Sequence, residues 1–530
     1  MSAAKNGLDK KHCIHLKDGH FSPDTETQAG DIGSLLAAYG AGDSPAGLVV
    51  HFHGGLVSYA NGKGIAESLT PVYKAAGAYP VFFVWEAGPL EAIFNNLGDI
   101  GQEKIFREFV RKAIEFALRR LKGSAGAKGT GGAAVSSQAV TRAVDEWFEG
   151  RSAAVPFEDF TMPGVADRTR TALAAMDDAM QIEIQAELER DPRFLREIEA
   201  VSNGLLPPAE SVVTRGVGTR AATNTLMDPK ALDELVDVPV RGKRGVISLM
   251  KVAAAIAKVV IRVVRRFIAG RDHGLYGTVV EEVLRQFYID KLGKCLLWNQ
   301  MKKDTADAFM EKIEPGKEPG GTMFLKALAD HLAKIGPGGV RPRVTLVGHS
   351  TGAVYICNLL AAAGRWLPAG FKFDIILLAP AVSFERFSAC MAANEKWVGG
   401  VRLFGMKDEV ELKDAMAQGG LGPFARLVYP HSLLYFVSGI LEDEEEDKPD
   451  HPILGMQRFF ERKDVFGATD FPEVEQARRF FAAPPQRCAV WSEVHDGNGM
   501  ASASKAHGDF DGDKVTLESV QWLLRNGFGA

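Results

Sequence analysis

Gly348-His349-Ser350-Thr351-Gly352 stands between an apolar run, Val344–Val347, and an alanine-rich run that continues through Ala353–Ala363. A serine in G-x-S-x-G, placed where a strand turns directly into a helix, has the setting of a nucleophile. So tight a turn leaves little room for side chains two positions either side of the serine, where Gly348 and Gly352 lie. The helix that follows offers unpaired N–H groups and a positive dipole end beside the hydroxyl. Ser350 is the expected nucleophile, with Gly348, His349 and Gly352 as supporting residues of the turn.

A serine hydroxyl needs a base to take its proton, and the base needs a carboxylate to hold its tautomer. Where the nucleophile sits on such a turn, the acid and then the histidine follow it in the chain. Val401–Met406 reads as a strand and leads into Lys407-Asp408-Glu409. Open α/β sheets gather their sites just past the carboxyl ends of strands. Asp408 is the expected acid; Glu409 beside it and Glu385 after the preceding strand are its rivals. The base is expected beyond "RCAVW": His507 in "AHGDFDGD", with His495 as the alternative. His431 in "YPHSLLYF" reads as a packed helical residue. Asp509, Asp511 and Asp513 alternate as in a calcium loop but lack the distal glutamate, so neither a metal nor a cofactor is expected.

A second stretch, "LVVHFHGGLVS", ends an apolar ramp on His-Gly-Gly. Attack on an ester carbonyl creates an oxyanion, and each fixed N–H aimed at it is worth roughly 3–4 kcal/mol in the transition state. One donor is expected from Thr351, the residue after the nucleophile. The other is expected from Gly54-Gly55-Leu56, with the N–H of Gly55 or Leu56 as donor, because glycines let the backbone approach closely. His53 is expected to hold that loop by a side-chain hydrogen bond, and His51 to face the sheet.

These residues need a frame. Short apolar runs at Gly47–His51, Pro80–Trp85, Val344–Val347, Phe373–Leu378, Val401–Met406 and Arg487–Trp491 read as buried strands. Helical patterns at Glu103–Arg120, Met323–Lys334, Ala353–Ala363 and Leu517–Arg525 alternate with them. That alternation predicts an α/β protein with a mostly parallel sheet covered by helices on both faces. It breaks between about Leu121 and Asp272. The break opens on a Gly/Ala/Ser tract, Lys122–Gln138, that reads as flexible linker, and continues as charge-rich helix. The expected organisation is a core of 1–121 and 273–530 with a helical insertion or lid, 122–272, after the third or fourth core strand. Leu441–Asp450 reads as an acidic solvated loop.

Within the insertion, Val246–Gly270 would place Lys251, Lys258, Arg262, Arg265 and Arg266 within roughly a 100° arc of a helix. Five cations argue against a spanning helix. One reading packs this helix on the core with its cations in water. The other rests it on an anionic membrane surface or makes it a lid over an apolar pocket.

At 530 residues the chain is long enough for one large elaborated domain or two to three units. A net charge of −5 gives no reason to expect nucleic acid as a partner. Five scattered cysteines without CxxC spacing, and a start without an apolar signal region, lead to the expectation of a cytoplasmic protein, with a peripheral membrane position as the second possibility.

Taken together, HGG after a core strand, G-x-S-x-G, an acid after a later strand and a histidine before the last helix resemble the α/β-hydrolase superfamily. The GHSTG turn is similar to that of its serine esterase and lipase branches. The likeness covers about Gly47–Arg120 and Met323–Ala530 and leaves the insertion without a counterpart. It implies a serine hydrolase working through an acyl-enzyme, with Ser350 attacking, His507 shuttling the proton and Asp408 orienting His507. The expected substrate is a carboxylic ester, small-molecule or lipid, with long-chain acyl esters as the leading choice. The same triad would also serve a thioesterase, peptidase or acyltransferase. A non-catalytic hydrolase-fold module that docks a membrane or partner is the alternative from a different class.

Overall fold

In the computed structural model the described residues are 10–55, 57–86, 90–124, 136–160, 170–205, 225–237, 246–289, 292, 297–335, 339–415, 423–442 and 450–529. Seven strands form the main sheet: β1 (Cys13–Leu16), β2 (Gly47–Phe52), β3 (Ala78–Trp85), β4 (Val344–His349), β5 (Phe373–Leu378), β6 (Val398–Met406) and β7 (Arg487–Ser492). Their spatial order is β1-β3-β2-β4-β5-β6-β7, and every neighbouring pair is parallel. The protein is of the α/β class. The apolar runs of β2 to β6 mark those strands because a parallel sheet is buried on both faces. Leu48, Val50 and Phe52 of β2 enter one core and Val49 the other; Ile375 and Leu377 of β5 separate from Ile376 and Leu378 in the same way. The edge strand β1, Cys-Ile-His-Leu, is too short and mixed to stand out from the sequence.

The helices that matter below are α1 (Tyr59–Ala75), α2 (Lys104–Ser124), α3 (Arg170–Arg190), α4 (Leu249–Ile268), α5 (Leu275–Phe287), α6 (Asn299–Asp307), α7 (Gly352–Ala363) and α8 (Lys514–Asn526). Their starts follow local chemistry. Ser58 caps α1 by accepting from the Asn61 N–H at 3.3 Å, and Asp513 caps α8 by accepting from the Thr516 N–H at 2.8 Å. Asp513, one of the three alternating aspartates, is thus engaged as a helix cap.

Three sheet strands precede the helical region and four follow it. Most of the Gly/Ala/Ser tract (125–135) and of the acidic stretch (443–449) lies outside the described residues. The helix read as basic and amphipathic is α4. Its apolar side packs against α2, α3 and α5, with Val252, Ile256, Val259, Val260 and Val263 fully buried. Lys251 and Lys258 are exposed, and Arg262 donates to Gln286 of α5 at 3.1 Å. Arg266 departs from a solvated stripe. Only 1% exposed, it is paired with Glu281 (2.6 Å), Glu282 (3.3 Å) and Asp450 (2.7 Å), which fastens α4 to α5 and to the chain before β7. In this arrangement these apolar residues of α4 are covered by protein. No helix among the described residues is long and apolar enough to cross a membrane.

Candidate active site

The strand order reverses between β2 and β4: from β2 the chain runs outward to β3, and β4 returns on the other side of β2. In open α/β sheets the crevice beyond the carboxyl ends at such a point is where sites form. β2 and β4 lie side by side, Phe52 level with Gly348. The residues that follow each strand, His53-Gly54-Gly55 and Ser350-Thr351-Gly352, are therefore brought to the same crevice.

Ser350 sits at φ +52°, a left-handed conformation that costs a non-glycine residue energy. The turn is held by its surroundings. The Ser350 N–H donates to the Leu378 carbonyl at 2.8 Å, and the Ser350 carbonyl accepts from Ala381 N–H at 3.0 Å. A Cβ on Gly352 would fall well inside contact distance of the Phe52 carbonyl oxygen, and one on Gly348 would come within 2.8 Å of the Gly352 backbone. Both glycines are required by the close approach of β2, β4 and α7. Thr351 is the N-cap of α7, so its N–H belongs to the set a helix leaves unpaired.

His507 reaches this turn from a short helical turn ahead of α8. Its Nε2 lies 2.9 Å from Ser350 Oγ, so with Nε2 unprotonated the hydroxyl donates to it. Both side chains are buried. Burial first, and then the charge of the neighbouring His349, push His507 down to about 3, which keeps it a neutral acceptor at ordinary pH. His507 Nδ1 is buried with no hydrogen-bond partner among the described residues. The His507 main chain is bound twice: its N–H donates to Asp414 Oδ2 at 2.8 Å, and its carbonyl lies 3.0 Å from His349 Nε2. Burial raises the Asp414 carboxyl to about 6, the His507 N–H offsetting part of that rise.

Asp408 is not brought to His507. Its Oδ1 accepts from the Tyr435 hydroxyl at 2.6 Å, and that hydroxyl also accepts from Arg458 at 3.1 Å. The helical turn Asp408–Glu411 bends the chain after β6, so Asp408 faces Tyr435 while Asp414, six residues on, meets His507. Glu409 and Glu385 are exposed, Glu385 in the first turn of the Phe384–Asn394 helix. His495 is exposed on a two-residue strand paired with Ala501–Ser502. His431 is buried, with Nδ1 2.8 Å from the Leu412 carbonyl, just ahead of the short Leu433–Phe436 helix. Sequence reasoning passed over Asp414; the signal available was its place in the segment after β6, "KDEVELKD", which offers three other carboxylates beside it.

In the His-Gly-Gly loop, His53 Nε2 accepts from the Trp85 N–H at 3.2 Å, which leaves the proton on Nδ1 to be donated to the Gly54 carbonyl at 2.7 Å. Burial lowers His53 to about 4 and so favours this neutral form. A trans peptide points its N–H opposite to its carbonyl. Fixing the Gly54 carbonyl on the His53 side therefore turns the Gly55 N–H to the other side. A Cβ on Gly54 would lie 3.2 Å from Ser350 Cβ, and one on Gly55 would lie 2.7 Å from Thr351 Oγ1, so the loop lies directly over the turn. Leu56 lies outside the described residues. His51 is buried, with Nδ1 2.8 Å from the Tyr73 hydroxyl of α1.

His53→Ala should cost about 1–3 kcal/mol of stability, since it leaves the Trp85 N–H buried without an acceptor. It should also lower kcat for any ester that the protein cleaves more than it raises KM. Thermal denaturation together with steady-state kinetics would check both; unchanged kcat in the variant would remove the loop-holding role.

Asp511 is half-buried beside His349, its Oδ1 2.9 Å from His349 Nδ1. Burial alone would lower His349, but Asp511 and the His507 carbonyl raise it above the ordinary histidine range. Asp511 is itself held low: burial would raise it, and His349 overrides that. No family model matches the sequence, and neither a curated protein nor a solved structure matches it.

Proposed function

We propose that this protein is a serine hydrolase of the α/β-hydrolase kind that cleaves carboxylic esters through an acyl-enzyme. The observation that carries this reading is the 2.9 Å contact of Ser350 Oγ with His507 Nε2 on a left-handed turn between β4 and α7. A serine held so, against a neutral imidazole, is poised to lose its proton as it attacks a carbonyl carbon. The electron pair of the carbonyl moves onto its oxygen, and the Thr351 and Gly55 N–H groups are the donors assigned to receive that charge. His507, now protonated, passes the proton to the leaving alkoxide. Water then repeats the sequence on the acyl-Ser350 and releases the carboxylic acid.

Asp414 takes the role first given to Asp408. One of its oxygens already accepts from the His507 N–H, and its carboxylate has a second oxygen with which to accept from the imidazole Nδ1–H. That bond would fix the tautomer with Nε2 free and stabilise the imidazolium. Asp414→Asn should lower kcat by about 10⁴-fold, because an amide donor facing Nδ1 selects the wrong tautomer. Asp408→Asn should leave kcat within a few-fold. The acid limb of kcat/KM should fall near pH 6: Asp414 takes up a proton there, and once the proposed bond to Nδ1 couples it to His507 the pair would titrate as a unit, so activity is lost as pH decreases. A panel of p-nitrophenyl esters from acetyl to palmitoyl, run on the wild type and both variants, tests the reading and gives the acyl preference. Absence of turnover across the whole panel, or an Asp414→Asn variant as active as the wild type, would overturn it.

A further inference from the structure

We infer that His349 and Asp511 form a second histidine–aspartate pair, a charged clamp that positions His507 against Ser350 from behind. This rests on the hydrolase reading above and assigns to that site two residues that do not touch the substrate.

The bonding pattern defines the clamp. A carbonyl oxygen only accepts, so the 3.0 Å contact with the His507 carbonyl requires a proton on His349 Nε2. His349 Nδ1 lies 2.9 Å from Asp511 Oδ1, an ion-pair distance at which an unprotonated ring nitrogen would turn its lone pair on a carboxylate; the clamp therefore assigns a second proton there, giving an imidazolium paired with a carboxylate. Both side chains are nearly excluded from solvent, so the pairing is not weakened by water.

His349 is the covalent neighbour of Ser350. The same ring that ends β4 therefore fastens the main chain of the base, while Asp414 fastens the N–H on the other side of the His507 Cα. Two bonds to His507 backbone atoms thus fix its main chain relative to the turn that carries Ser350, and the ring reaches Oγ from that anchored position. The remaining titratable groups around the pair are His51 and His53 from β2 and its loop, Tyr73 from α1, and Asp509 beside Asp414. Burial pushes His51 and His53 down to about 3 and about 4 and raises Tyr73, so all three are neutral near pH 7. The cation of this cluster is His349.

The pair thus has two separable effects, a mechanical one through the carbonyl and an electrostatic one through the charge. His349→Phe removes both. It should lower kcat by about 10²-fold at nearly constant KM, the scale expected when a reacting group is displaced by about 1 Å. It should also move the acid limb to higher pH, because loss of a neighbouring cation lets the Asp414–His507 pair take up its proton more readily. His349→Gln keeps an N–H donor without the charge, so it should recover most of kcat while the acid limb stays displaced. A merely structural role would lower kcat without that displacement.

One measurement does not depend on turnover. With ¹⁵N-histidine incorporated into the wild-type chain, and His349 assigned by its loss in His349→Gln, both of its ring nitrogens should carry protons at pH 7. A neutral His349 ring would overturn the clamp, as would an acid limb unmoved in both variants. If the wild type cleaves no ester while His349 is doubly protonated, the proposed activity fails and the clamp stands as a structural pair.

Discussion

Removal of the imidazole in His507→Ala is expected to lower kcat for ester cleavage by about 10⁴–10⁶-fold with the fold intact, the range seen when one member of a serine triad is deleted. The ring lies 2.9 Å from Ser350 Oγ, where it can take its proton, and burial keeps it neutral and ready to do so. The loss should come without global unfolding, since the bonds that anchor this segment run to the His507 N–H and carbonyl, not to its ring. Combining His507→Ala with Ser350→Ala should cost little beyond either change alone, because the two act as one unit. His495→Ala, on an exposed two-residue strand, should leave kcat within two-fold of the wild type. Steady-state kinetics with matched circular dichroism spectra would decide; a His507→Ala variant retaining a tenth of wild-type kcat would remove His507 from the chemistry.

The second large effect is structural. Gly352→Ala should destabilise the protein by about 3 kcal/mol and reduce the kcat of the folded fraction by about 10²-fold. The new methyl would meet the carbonyl oxygen of Phe52, and a backbone atom inside a seven-stranded sheet has little freedom to retreat. The turn must then back away from β2, which carries Ser350 and the Thr351 N–H away from Gly54 and Gly55. Gly348→Ala should be milder. Its nearest neighbours are the Gly352 backbone and the Ile356 Cδ1, both at 2.8 Å, and the isoleucine side chain can rotate away. Chemical denaturation and kinetics on the pair of variants would check this order; a Gly352→Ala protein as stable as Gly348→Ala would contradict it.

How much of this was legible in the chain follows from what kind of constraint each residue answers to. The α/β class was visible because a doubly covered parallel sheet demands unbroken apolar strands, as in β2, β4 and β5. The turn at Ser350 was visible because two glycines answer to local backbone contacts that hardly depend on the rest of the fold. The carboxylate that meets the His507 main chain was not visible. Asp408, Glu409, Glu411 and Asp414 all follow β6, and only the helical turn at Asp408–Glu411 decides which of them reaches His507. The insertion shows a related limit. Periodicity revealed that α4 has an apolar side and a cationic side but could not say what covers either. Helices α2, α3 and α5 cover the first, and one cation of the stripe, Arg266, pairs with three carboxylates inside the protein. Asp511 looked like part of a metal loop by spacing, yet its neighbour in space is His349, some 160 residues earlier in the chain.

The central claim is that Ser350 is a nucleophile activated by His507, and covalent capture tests it most directly. A fluorophosphonate forms a bond from serine Oγ to phosphorus and expels fluoride, a step that needs the same deprotonation and the same donors as acyl transfer. Incubation of the 530-residue chain with such a probe, followed by peptide mass spectrometry, should give one adduct, on Ser350, that is absent in Ser350→Ala and much slower to form in His507→Ala. No adduct on the wild type, or undiminished labelling of Ser350→Ala, would contradict it.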